Sequence, residues 1–145
     1  MFQHILLPLD GSDVSARAAR RGIAFARSIK AEVTLLHVTP VFRPTELHAH
    51  AVMREAQEAE AHATQDAHKV LDPAERIARA EHVACFAIHR VGDRPWEAIV
   101  AVAAEQGCDL ILMASHGHSG VRALVLGSTT NKVVAHAKVP VLVWR

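Results

Sequence analysis

The chain has 145 residues, 50% of them hydrophobic and 21% charged, with a formal net charge of +1. This suits one folded domain spanning residues 1–145 that buries roughly 70% of its unfolded surface, and it excludes a disordered chain. The near-neutral charge makes no case for nucleic acid or an anionic membrane as partner, and no apolar run approaches the ~20 residues that a bilayer span needs.

The chain opens on His4-Ile5-Leu6-Leu7-Pro8-Leu9, nearly continuous in apolar residues, as in a strand covered on both faces by helices. With no basic n-region or cleavable apolar segment ahead of it, the expected location is the cytoplasm. Asp10-Gly11-Ser12 reads as a turn in which Ser12 caps a helix. Val14, Ala18, Gly22, Phe25 and Ile29 then share one helical face, with Arg17, Arg20, Arg21 and Arg27 mostly opposite. A second buried strand, Val33 to Val38, stops before Pro40, and residues 39–45 form a loop.

Residues from Glu46 to Arg79 form a long helical segment whose stripe of Val52, Ala56, Ala59, Ala63, Ala67 and Val70 has small side chains. Such a helix is expected to pack weakly and to be the most mobile cover of the sheet. Asp72-Pro73 either ends it or restarts it. The third strand is expected at Val83 to His89. A turn at Gly92-Asp93-Arg94-Pro95 leads into a helix that buries Trp96, Ile99, Val100 and Ala103, and Gly107 closes that helix. Leu110 to Ala114 is the fourth strand. A short helix starts near Ser128, and the last strand is Val139 to Trp144, with Pro140 at an edge or at the strand start. Alternating strands and helices argue for a parallel sheet, so five strands and about four helices give one doubly wound α/β domain. Cys85 and Cys108 are far apart and in no C-x-x-C pair, and are expected to be buried reduced thiols.

The stretch Met113-Ala114-Ser115-His116-Gly117-His118-Ser119-Gly120, continuing to Gly127-Ser128-Thr129-Thr130, runs from a strand end to a helix start. Ligands of open α/β sheets bind there. Glycine lets backbone N–H groups approach an anion, and the helix start adds the positive end of its dipole. By itself this marks an anion site. Neither G-x-x-x-x-G-K-[ST] nor G-x-G-x-x-G is present, so a P-loop or dinucleotide-binding Rossmann reading has no support.

The opening His4 to Ser12, the strand end Leu35-Leu36-His37-Val38, the stretch Asp109 to Gly117, and the ending Leu126-Gly127-Ser128 through Pro140 to Val143 together resemble the universal stress protein family along the whole chain. The resemblance implies a five-stranded parallel sheet of order 3-2-1-4-5, with its switch point between the first and fourth strands. ATP-binding members carry Gly, two residues, Gly, nine residues, then Gly-Ser or Gly-Thr. Here Gly117, residues 118–126 and Gly127-Ser128 match, while Ala114 stands in place of the first glycine. Overpacking by one methyl costs about 1–3 kcal/mol where nothing relaxes, so binding is expected to be weakened at most. The resemblance further implies Pro8, Leu9 and Asp10 beside adenine, Asp10 as an acceptor, and Val38 and Met113 as apolar walls. It puts Gly117, Gly127, Ser128 and Thr129 at ribose and phosphates, and His116 shaping the loop or approaching the nucleotide. The cofactor is then ATP or AMP, with Mg²⁺ riding on the phosphates. A homodimer paired through the edge strand Val139 to Val143 is also implied.

His48-x-His50 and His116-x-His118 invite a metal reading, as do His62 and His68. The last two are six residues apart and do not share a helical face, so a solvated His-rich face is the better reading. Ser115-His116 lacks the G-x-S-x-G elbow of a nucleophile. No base or cationic finger marks phosphoryl transfer, so an enzyme is not expected, and any ATP hydrolysis would be slow. Two functional readings remain. One is a nucleotide-dependent regulatory or binding module of the stress response. The other is a relative that binds no nucleotide and works through contacts with an unidentified protein partner, with a slow ATPase or phosphotransferase behind both.

Overall fold

A computed structural model describes residues 1–44, 49–118 and 125–145. In chain order it contains β1 (His4–Pro8), α1 (Asp13–Ile29), β2 (Glu32–Thr39), α2 (Ala49–Ala80), β3 (Cys85–Val91), α3 (Pro95–Glu105), β4 (Leu110–Ala114), α4 (Ser128–His136) and β5 (Val141–Trp144). Every strand pairing is parallel and the order is β3-β2-β1-β4-β5. This is the α/β arrangement, with five strands and four helices, expected above.

Strand alternation sorts the core into two layers. Ile5 and Leu7 of β1, Val33 and Leu35 of β2, and Leu110, Leu112 and Ala114 of β4 pack under α1 and α2. Leu6, Leu36, Ile111 and Met113 point the other way, onto Ile99, Val102 and Ala103 of α3 and Val133 of α4. The near-continuous apolar runs in the sequence are the record of this two-sided burial. After β3 the chain returns across β2 and β1 to add β4, so β1 and β4 are neighbours whose connections leave to opposite sides. Their C-terminal ends diverge and leave a crevice.

Several local expectations shift. Val83 is buried, but its N–H bonds to the Ala78 carbonyl at 2.9 Å and it seals the end of α2, with His82 left-handed at φ 57° just before it. β3 therefore begins two residues late, at Cys85, where pairing with Val33 starts. Pro73 neither ends nor restarts α2, which runs through it. Of the small-residue stripe Ala67 is buried and Val52, Ala56, Ala59, Ala63 and Val70 are half-buried, while Leu71, Ala74 and Ala78 beyond it are buried against the sheet. In α3 the third buried position is Val102, with Val100 half-exposed.

β5 starts at Val141 rather than Val139. Pro140 has no N–H to give, and only its carbonyl joins the ladder, accepting from Ile111 at 3.0 Å. Cys108 is buried but Cys85 only half so, and burial pushes both thiols up to about 11. No helix among the described residues is long and apolar enough to cross a membrane.

Candidate functional site

A cavity of about 310 Å³ opens at the crevice between β1 and β4. From the end of β1 come Pro8, Leu9 and Asp10; Leu36 and Val38 of β2 form one apolar wall, and Ile99 of α3 with Met113 of β4 another. The end of β4 supplies Ala114, the connection after it His116, Gly117 and His118, and the start of α4 Gly127, Ser128 and Thr129. All eleven residues marked in the sequence thus line one space.

The first turn of α1 organises Asp10. Ser12 caps the helix, its hydroxyl accepting from the Ser15 N–H at 3.2 Å. The same hydroxyl donates to Asp10 Oδ1 at 2.5 Å, and the Ser12 N–H does so at 2.9 Å. Oδ2 accepts from the His118 N–H at 3.3 Å, and the His118 ring Nε2 bonds to the Asp10 carbonyl at 2.7 Å. Gly117 is glycine because a Cβ there would collide with the Asp10 carboxylate, standing 2.9 Å from its Cγ. The loop after β4 is therefore clamped to the end of β1 through Asp10.

Burial of the carboxylate works to raise its pKa. The Ser12 hydroxyl and N–H, the Ser15 hydroxyl and the His118 ring outweigh that and hold it below the ordinary value. A lowered pKa in the folded state adds stability above the ordinary carboxylate range, and that stability is lost as pH falls through the folded value. Asp10→Asn is therefore expected to lower the urea midpoint at pH 7, with the gap to wild type closing in acid below that range. A gap that persists unchanged in acid would show that the loss at pH 7 is not electrostatic.

Gly127 makes a different close approach. Its N–H bonds to the Ser115 carbonyl at 2.7 Å, and a Cβ on it would lie 3.2 Å from the His116 Cα. This seats the start of α4 on the end of β4, with the Thr130 hydroxyl donating to the Ala114 carbonyl at 2.9 Å. Helix geometry leaves the first-turn N–H groups of α4, at Ser128 and Thr129, without intrahelical partners, and both residues line the cavity. Ala114 is 6% exposed and its side chain belongs to the layer under α1, on the opposite face of β4 from Met113. His116 Nδ1 pairs with the hydroxyl of its neighbour Ser115 at 2.9 Å. Residues 119–124 of the nine-residue spacing lie outside the described residues, as do His48 and the side chain of His50.

Sequence reasoning missed Ser15, Leu36, Pro95, Ile99 and His118 as lining residues, and marked Thr130 only as part of the helix start. Thr130 and Ser15 carried a signal, each a hydroxyl in the first turn of a helix that faces the strand ends. Pro95 and Ile99 carried none, because α3 reaches the cavity only through the crossover. It also missed His37, a buried ring whose Nδ1 bonds to the Leu9 carbonyl at 2.7 Å behind the cavity wall. His89 lies stacked beside it at 6.4 Å, held by the Thr39 hydroxyl at 2.7 Å. Burial, then His37 and His68, lower the pKa of His89 and favour its neutral form.

The profile described as the universal stress protein family matches residues 1–145. The chain is 32% identical over 149 residues to universal stress protein YxiE of Bacillus subtilis, with all of both chains covered. It is 34% identical over 153 residues to a universal stress protein of Thermus aquaticus, again with full coverage of both. Among solved structures, the MJ0577 protein of Methanocaldococcus jannaschii superposes with a TM-score of 0.79 at 32% identity, covering 99% of this chain and 95% of that one. Structures that share the fold at 19–23% identity, with TM-scores of 0.64–0.69, include universal stress proteins in complex with cAMP, with dAMP and with AMP.

Proposed function

The chain belongs to the universal stress protein family, and from that premise we propose that it is an adenine-nucleotide-binding module of the stress response, acting in the cytoplasm as a homodimer. The observation that carries the reading is the cavity itself, an apolar slot that ends at a helix N-terminus. Leu36, Val38, Ile99 and Met113 offer adenine two apolar walls, and the main chain of Leu9 with the Asp10 carboxylate offers edge contacts. The first-turn N–H groups and hydroxyls of Ser128 and Thr129, at the positive end of the α4 dipole, suit the phosphate end, beside Gly117 and His116. Mg²⁺ fits only as a guest of the phosphates, because no three His, Cys, Asp or Glu side chains converge as a ligand set among the described residues.

We read the protein as a binder rather than an enzyme. Ser115 is only 5% exposed as a residue and its hydroxyl pairs with His116 Nδ1, so that pair offers no open nucleophile. Dimerisation is proposed through Val139 to Val143, where β5 is an edge strand with Leu142 exposed.

Mass spectrometry of small molecules released on denaturing the purified protein is expected to detect AMP or ATP. Calorimetry with each nucleotide, with and without Mg²⁺, should show saturable binding, and sedimentation should give a dimer. Release of no nucleotide together with no heat would defeat the nucleotide reading and leave the protein-contact alternative.

A further inference from the structure

The outer face of α1 lies outside the nucleotide cavity and carries Arg17, Arg20 and Arg21, all exposed. Two grooves flank this ridge, and Arg17 and Arg20 line both. Towards α2 the groove has a volume of about 490 Å³, an aliphatic floor of Val70, Ala74 and Ile77, and one carboxylate, Asp13. Towards the sheet edge it has a volume of about 590 Å³, with Val14, Ala24 and Trp144 as apolar lining. The Arg21 guanidinium sits 5.7 Å from the centroid of the Trp144 ring.

We propose that this face is a docking surface for an acidic protein segment that carries apolar side chains. The charge argument comes first. Arg27, Arg43, Arg90 and Arg94 each pair with a carboxylate, whereas no described carboxylate lies within ion-pair distance of Arg17 or Arg20. Two cations one helical turn apart are left to a partner, and their planar forks suit carboxylates.

The troughs supply the second argument. Anchors of protein interfaces are aromatic and arginine side chains set around apolar pockets, and here an arginine ridge divides two such pockets, one floored by tryptophan. A segment with acids on the ridge and aliphatic side chains in the grooves fills both. Nucleic acid fits less well, because the α2 side lines its groove with no aromatic ring for bases to stack on and places the Asp13 carboxylate there.

The test uses the full chain and fluorescence anisotropy with three probes: a labelled peptide of about 16 residues alternating Glu and Leu at helical spacing, the same peptide with Gln for Glu, and a single-stranded DNA of similar length. The Glu–Leu peptide is expected to bind, and to lose at least about tenfold in affinity between about 50 and about 300 mM NaCl. The Gln peptide and the DNA should bind at least about tenfold more weakly. Arg17→Glu with Arg20→Glu should cost the Glu–Leu peptide at least about tenfold, and Arg17→Gln with Arg20→Gln less, with unfolding midpoint and nucleotide release unchanged in both. No binding by the acidic peptide, equal binding by the charge-reversed chain, or preference for DNA would each overturn the proposal. A dimer that dissociates on charge reversal would assign the face to a second copy instead, and would overturn it too.

Discussion

Gly117→Val is expected to abolish retention of an adenine nucleotide and to lower the unfolding midpoint with it. The added Cβ would occupy the space of the Asp10 carboxylate. That carboxylate cannot swing aside freely, since Ser12 holds Oδ1 through two hydrogen bonds of 2.5 and 2.9 Å. Either Asp10 surrenders those bonds or the loop after β4 lifts away from β1, and both outcomes open the crevice. Those hydrogen bonds to a charged group contribute about 1.5–3 kcal/mol each to the fold, and a crevice opened by their loss should bind on the order of 100-fold more weakly, with about 1.4 kcal/mol for each tenfold. Calorimetry with AMP and ATP reads this directly, with Gly117→Ala as the milder step in the same direction. Wild-type affinity in the valine variant would remove the Asp10 clamp from the account of the site.

Leu7→Ala is expected to carry the largest stability loss, about 2–5 kcal/mol, for a leucine that is fully buried between β1 and α1. At this chain length that is a midpoint fall of about 4–20 °C. The same site contains an overpacking test. Gly22 faces Leu7 across the helix–sheet contact, and a Cβ on it would stand 2.5 Å from Leu7 Cδ2 and 3.4 Å from Leu112 Cδ2. Gly22→Ala alone should therefore destabilise by about 1–3 kcal/mol of overpacking, partly offset by about 1 kcal/mol of helix propensity. With Leu7→Ala in the same chain the collision is gone and the new methyl fills part of the hole. Urea titrations should then show the double variant to be more stable than the sum of the singles implies. Strict additivity would show that Gly22 is not set by the approach of Leu7.

The site was legible to different depths at different residues. Pro8 to Asp10 and Met113 to Gly117 could be placed because they directly follow apolar runs that the sequence marks as strands, and strand ends are where open sheets bind. Ser12 declared itself as a helix cap, but that its hydroxyl also holds Asp10 follows only from the turn conformation. Gly117 and Gly127 were read as room for a ligand. In the folded chain each first makes room for the protein itself, for the Asp10 carboxylate and for the His116 backbone respectively. Sequence spacing cannot separate those two causes, since both ask only for a missing Cβ.

From the sequence alone come the α/β class, the order of strands and helices along the chain and, by resemblance, the strand order and the residues of the crevice. These are legible because burial on two faces and helical periodicity are local patterns, printed in each segment without reference to any other. Tertiary structure alone decided the start of β3, where Val83 is spent on closing α2, and the passage of α2 through Pro73. It alone brought Pro95 and Ile99 of α3 to the cavity, and Arg17 and Arg20 between two grooves. These depend on which elements end up adjacent. Adjacency is set by packing across the sheet, between residues too far apart in the chain for any periodicity to connect them.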